Sequence, residues 1–275
     1  MSYPPYEADD LTGSRFEKVF ARLCNQPRID EVKRVHTLTE EQFRSEFASR
    51  GYPVIFTGLI SPCPSETQMR SLVSSIIGTK IVEARYGLYA TPDIYVHERA
   101  AKLLTVNDIL DGLELAGPAE EHLYLAKLEL DAPTANLLNV IPPPYYRSSE
   151  LRRPSLWLGP ADCVTPLHKD NSDNFTFHFF GLKRWLLFPV RDYPYLYMNQ
   201  PHPRSVPGFS CSRVDVRFPD VDRWPLYRKA RPIEATLGPG EVLYLPAGWA
   251  HFVETLSNSL MINYWALRRP ACLDV

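Results

Sequence analysis

The chain has 275 residues, 45% of them hydrophobic and 12% aromatic, which is ample material for a packed core and rules out disorder as its main state. Thirty Lys and Arg against 32 Asp and Glu leave a net charge of −2, so there is no global field for polyanions, and a nucleic-acid role would need a local patch. No uncharged stretch exceeds fifteen residues, and that from Gly51 to Ser65 is broken by Pro53, Pro62 and Pro64, too short and too interrupted for a membrane-spanning helix.

In chain order, the first ten residues show neither the basic nor the apolar region of a secretion signal. Arg15 to Leu23 carries Phe16, Val19, Phe20 and Leu23 at helical spacing. Thr39 and Gln42 form a capping-box pattern that opens a helix bearing Phe43 and Phe47, and Ser65 with Gln68 opens a second helix through Ile77. Between them Tyr52 to Gly58 reads as a short buried strand ended by glycine. Proline, at 26 of 275 about twice the usual ~5%, makes the chain turn-rich.

Beyond Pro142, Pro143 and Pro144 the pattern changes to short β runs: Ser155 to Leu158, Asn174 to Phe180, Arg184 to Phe188, Glu241 to Leu245, His251 to Thr255 and Leu260 to Trp265. Turn signals at Gly159-Pro160, Gly181-Leu182 and Gly238 to Gly240 separate them, which predicts an antiparallel sandwich or barrel. Pro189 to Glu234 is a 46-residue connection with eight prolines, long enough to be a functional or folded insertion. Five cysteines (Cys24, Cys63, Cys163, Cys211, Cys272) without any C-x-x-C pair suit neither a disulfide framework nor a zinc cage, and point to a reducing compartment, cytosol or nucleus.

The segment from Val164 to Asp170 carries the chemistry, together with Leu245 to His251 about eighty residues later. In a strand, residues two apart share a face, so His168 and Asp170 converge. His251, at the start of another strand, is the best third ligand. Two His and one carboxylate form the facial set of non-haem Fe(II) oxygenases. A His-x-Asp pair alone is common by chance; the context of His251 is what raises it. None of the other histidines is followed two residues on by a carboxylate, so His36, His97, His122 and His202 read as surface or structural, and His178, four residues from Asn174, is a further candidate for lining the site.

Ser155 to Pro160, Thr165 to Asp170, Asn174 to Phe177, Gly181 to Pro189, Gly238 to His251 and Ile262 to Trp265 together resemble the JmjC-domain Fe(II)/2-oxoglutarate oxygenases, in particular their hydroxylase branch. The likeness is strong from Leu123 to Trp265 and looser over Val32 to Gly58. It implies a mainly β fold, a double-stranded β-helix of the cupin or jelly-roll kind with flanking N-terminal helices. Residues 1–150 are then a mixed region packed on the barrel and residues 151–270 the core with its 189–234 insertion, in one unit. It also implies Fe(II) held by His168, Asp170 and His251, and 2-oxoglutarate and O₂ as co-substrates. Lys183 matches the lysine that pairs with the distal carboxylate, Thr165 and Tyr124 match hydroxyl donors to it, and Asn174 and Asn263 match amides near the metal.

Such enzymes couple decarboxylation of 2-oxoglutarate to succinate and CO₂ with hydroxylation of a C–H bond. The chain lacks the Cys/His zinc modules that many chromatin demethylases add, so the expected substrate is an amino-acid side chain of a protein or peptide, with N-methyl demethylation as the alternative. A tRNA base is a third, because Lys183 to Glu234 holds ten Lys or Arg against five Asp or Glu. A non-catalytic cupin is the remaining reading. The ten residues after Trp265 include Pro270 and no apolar periodicity, so the C-terminal helical pair through which some such enzymes dimerise is not expected, and the chain reads as a monomer.

Overall fold

The short apolar runs assemble into two sheets. The structure is a computed structural model and describes residues 23–86, 101–114, 122–138, 142–198 and 210–266. Among the described residues the larger sheet holds nine strands, β1 (Lys33–Val35), β2 (Val54–Phe56), β3 (Ile81–Tyr86), β4 (Ala101–Thr105), β5 (Leu123–Glu129), β6 (Ser155–Gly159), β8 (Asn174–Phe180), β12 (Val242–Leu245) and β14 (Ser259–Trp265). Their order across the sheet is β1-β2-β12-β8-β14-β6-β5-β3-β4. The smaller sheet is β10-β7-β13-β9-β11, from β7 (Val164–Lys169), β9 (Lys183–Phe188), β10 (Ser210–Cys211), β11 (Ile233–Leu237) and β13 (Ala250–Thr255).

β6, β8 and β12 are buried at every residue, which explains why they read as continuous apolar runs rather than alternating ones. One face of the large sheet (Leu156, Leu158, Phe175, Phe177, Val242, Tyr244) packs on helices through Phe43, Phe47, Met69, Val73 and Ile109. The other face, with Trp157, Leu243 and Met261, meets Val164, Trp185, Leu187 and Val253 of the small sheet. The site is built inside this second layer.

The six strands expected from the β runs are present with ends within one residue of those expected. Both capping boxes form. That at Ser65 starts a 12-residue helix, Glu66–Ile77. That at Thr39 starts a single turn, Glu40–Gln42, which widens into a π-helix over Phe43–Ala48 and buries both phenylalanines. The helix expected over Arg15 to Leu23 lies, except for Leu23, outside the described residues. Within the long connection from Pro189, β10 returns to pair with β7, placing Cys211 opposite His168.

Candidate active site

β7 and β13 run antiparallel with His251 opposite His168, and their rings lie 4.1 Å apart between centroids. Asp170 sits one residue beyond the end of β7, in the turn rather than in the strand. It still converges: one ligand atom from each of His168, Asp170 and His251 lies within 4.8 Å of the others. Nδ1 of His168 is 2.8 Å from the Pro166 carbonyl oxygen and Nδ1 of His251 is 3.1 Å from that of Trp249. A ring nitrogen facing a carbonyl must carry the proton, which leaves the lone pair on Nε2 in both rings, the tautomer a metal requires. The Trp265 indole N–H donates to Oδ2 of Asp170 at 2.9 Å and orients the carboxylate.

Burial lowers the pKa of both imidazoles, and His168 lowers that of His251 further. Burial pushes the Asp170 carboxyl up, but His168, His251 and the Trp265 N–H outweigh it and hold the group below the ordinary carboxylate value. At neutral pH the donor set is therefore two neutral imidazoles and one carboxylate, which fits a divalent first-row ion.

Lys183 opens β9 opposite Thr255 and is 1% exposed. Its ammonium donates to Thr255 Oγ1 at 3.0 Å and stands 5.3 Å from the Tyr124 ring centroid. Among the described residues no carboxylate pairs with it, and burial lowers its pKa to about 8. A buried cation without an anion fits a site that takes an anionic ligand. Thr255 is four residues from His251 along β13, roughly 13 Å at the rise of an extended strand. Tyr124 is also buried; burial pushes its hydroxyl up to about 12, and a hydrogen bond with Thr165 opposes the shift.

Thr165 and His168 are three residues apart, which in a regular strand puts them on opposite faces. The register between β7 and β13 slips between these pairs: Thr165 lies opposite Val253 and His168 opposite His251, three residues against two. The extra residue turns both toward the interior, and Pro166, which has no N–H for the ladder, is suited to that position.

Asn174 and Asn263 meet each other: the Asn263 amide donates to Oδ1 of Asn174 at 3.2 Å and accepts from the Trp157 indole at 2.8 Å. The Trp157 and Trp265 rings lie 6.5 Å apart, so the amide pair adjoins the indole that holds Asp170. His178 is not among these groups. It lies at the far end of β8, where Nε2 is 2.8 Å from the Gly181 carbonyl oxygen and closes the hairpin. Of the remaining histidines, His36 is exposed and His122 half-buried, while His97 and His202 lie outside the described residues.

The structure adds Trp185, whose ring stacks 5.7 Å from that of His251. Its indole N–H is buried without an acceptor, a second group suited to an oxygen-rich ligand. Its place two residues after Lys183, on the same strand face, was the available signal.

Residues 40–268 match the Cupin-like domain family. The chain is 29% identical over 269 residues to JmjC domain-containing protein D of Dictyostelium discoideum, covering 90% of this chain and 56% of that protein. It is 30% identical over 244 residues to lysine-specific demethylase 8 of Danio rerio, covering 86% and 58%. To HSPB1-associated protein 1 of Rattus norvegicus it is 29% identical over 257 residues, covering 86% and 53%. The chain thus spans little more than half the length of these relatives. With its two-sheet fold and convergent His168, Asp170 and His251, the chain belongs to the cupin-like, JmjC-domain family.

Proposed function

We propose that the chain is an Fe(II)- and 2-oxoglutarate-dependent dioxygenase that hydroxylates an amino-acid side chain of a protein or peptide. The observation that carries this reading is the convergent group of buried His168 and His251 with half-buried Asp170, in the same barrel layer as Lys183, a buried cation with no carboxylate partner among the described residues. His168, Asp170 and His251 would hold the ion; Lys183, with Thr165 and Tyr124, would take the distal carboxylate of 2-oxoglutarate, and Asn174 and Asn263 would line the co-substrate near the metal. When bound, the pair supplies the oxidising chemistry that inserts one oxygen of O₂ into a C–H bond and yields succinate and CO₂. The protein orients the ligands through the Pro166 and Trp249 carbonyls and the Trp265 N–H, and its apolar walls exclude water.

Demethylation of an N-methyl group is the second reading, favoured by the name of the zebrafish relative, lysine-specific demethylase 8. Both outcomes use one site. Mass spectrometry of peptides incubated with the chain, Fe(II) and 2-oxoglutarate separates them: gain of one oxygen supports hydroxylation, and loss of CH₂ from methyl-lysine or methyl-arginine overturns it in favour of demethylation. Among the described residues no helix is long and apolar enough to cross a membrane.

A further inference from the structure

β7, which carries His168, would be the outer strand of the small sheet but for the connection that begins at Pro189. In β10, Ser210 pairs with Lys169 and Cys211 with His168, and the Ser212 N–H donates to the Leu167 carbonyl at 2.9 Å. An unpaired edge leaves a strand's backbone groups to solvent, so this short pairing is what holds β7 from outside at the first candidate ligand. Ser212, 2% exposed, ties this arm of the connection to the earlier one. Its hydroxyl donates to the Leu196 carbonyl at 2.6 Å and accepts from the Val214 N–H at 2.9 Å. Leu196 ends the short helical turn that Tyr193 begins.

Tyr193 reaches the segments of the other two candidate ligands. Its hydroxyl donates to the Gly248 carbonyl, and the Gly248 N–H donates to the Asp170 carbonyl at 2.8 Å. Gly248 lies three residues before His251 and holds a left-handed backbone with φ of 86°. A Cβ there would stand 3.3 Å from Val190 Cγ2 and 3.7 Å from the Tyr193 hydroxyl, so the connection packs closely over the turn. One glycine therefore joins the backbone at Asp170, the turn into His251 and the connection.

We propose that the connection is a strap that sets the geometry of the candidate metal group, with Tyr193 and Ser212 as its positioning residues. Neither is a candidate ligand. Through backbone contacts they hold β7 at His168, the turn at Asp170 and the turn before His251. Ligands drawn from separate chain segments keep one geometry only where those segments are fixed to each other, and a displacement of about 1 Å is enough to spoil a site. The inference rests on the dioxygenase reading for the identity of the ion, but the positions of the two imidazoles can be followed without one.

The test compares Tyr193→Phe and Ser212→Ala with Val73→Ala, a truncation at a fully buried position on the helix side of the large sheet. In the metal-free full chain the imidazole NMR signals of His168 and His251 are recorded. With Co(II) added, calorimetry gives the affinity and the d–d absorption bands report the ligand geometry. Tyr193→Phe and Ser212→Ala should each move the imidazole signals, shift the Co(II) bands and weaken Co(II) binding about fivefold, the equivalent of one net hydrogen bond. Combined, they should weaken it by little more than the stronger one alone, because cutting the strap at either point releases it. Val73→Ala should lower the urea midpoint and leave all three readouts in place. If Tyr193→Phe behaves like Val73→Ala, with signals, bands and affinity unmoved, or if the two losses multiply, the strap is overturned. A parent chain that takes up no Co(II), while its imidazole signals still respond to Tyr193→Phe, sinks the dioxygenase reading alone.

Discussion

Lys183 places a full charge where water cannot solvate it, with one hydroxyl for a partner. Its ammonium has an ordinary value of 10.5 and drops to about 8 in the folded chain. Below pH 8 both folded and unfolded chains carry the proton and the folded chain bears the whole penalty. Between about 8 and 10.5 the unfolded chain binds more protons, so this group's contribution to stability rises with pH. Lys183→Met is therefore expected to be more stable than the parent at pH 7 without ligand, by on the order of 3 kcal/mol, with the difference shrinking through that window. Urea unfolding of both chains at several pH values checks it. Under the dioxygenase reading, Mn(II) with 2-oxoglutarate should raise the melting temperature of the parent far more than that of Lys183→Met. Under the same reading His168→Ala and Asp170→Ala would each remove a metal ligand and should abolish Mn(II) binding and succinate formation; full turnover in Asp170→Ala would sink the ligand assignment. A third expectation concerns Gly159, where a Cβ would lie 2.5 Å from Tyr124 Cδ2. Gly159→Ala should cost roughly 1–3 kcal/mol by overpacking and, under the dioxygenase reading, weaken 2-oxoglutarate binding through the displaced Tyr124, read by thermal unfolding and calorimetry.

At the scale of elements, the parts of the site legible in sequence were those that obey strand parity. His168 and Asp170 are two apart and converge, and His251 falls near the start of a strand bounded by a turn. Thr165 was reached through resemblance, because its inward direction depends on the slip at Pro166 and Leu167, which alternation does not reveal. β7 itself is hard to read as a strand, since Pro166 and its polar residues break the apolar pattern. The approach to His251 is fixed by a contact no local pattern contains. Asp173, 1% exposed, accepts from the Ala247 N–H and the Tyr146 hydroxyl, each at 2.8 Å, and so holds the turn between β12 and β13. Asp173→Ala strips both donors of this acceptor inside the protein, at about 1–3 kcal/mol for each group left unsatisfied, and should loosen His251 as well. A lowered unfolding midpoint together with weakened Mn(II) affinity is the expected result. Asp173→Asn, which keeps one acceptor oxygen, should recover part of both.

Across the whole molecule, the N-terminal strands are joined to both sheets. β2 covers the edge of β12 with Val54, Ile55 and Phe56, all fully buried, and β1 pairs with β2 in parallel. The Trp249 indole donates to the Gly51 carbonyl at 2.9 Å across the turn that leads to His251. Arg34 reaches the small sheet, donating to the Thr236 carbonyl at 2.7 Å and pairing with Glu241 at 2.8 Å. A chain beginning at residue 61 would lose these contacts together. It would also leave β12, an apolar strand with Val242, Leu243 and Tyr244, as the new edge, a ready template for pairing with other chains. Such a chain is expected to aggregate on expression, and any soluble fraction to lose Mn(II) binding, because the turn before His251 has lost its anchor. Light scattering and calorimetry on the shortened chain measure both. A monodisperse product that unfolds cooperatively and binds Mn(II) like the parent would show instead that the barrel from residue 61 onward is sufficient by itself.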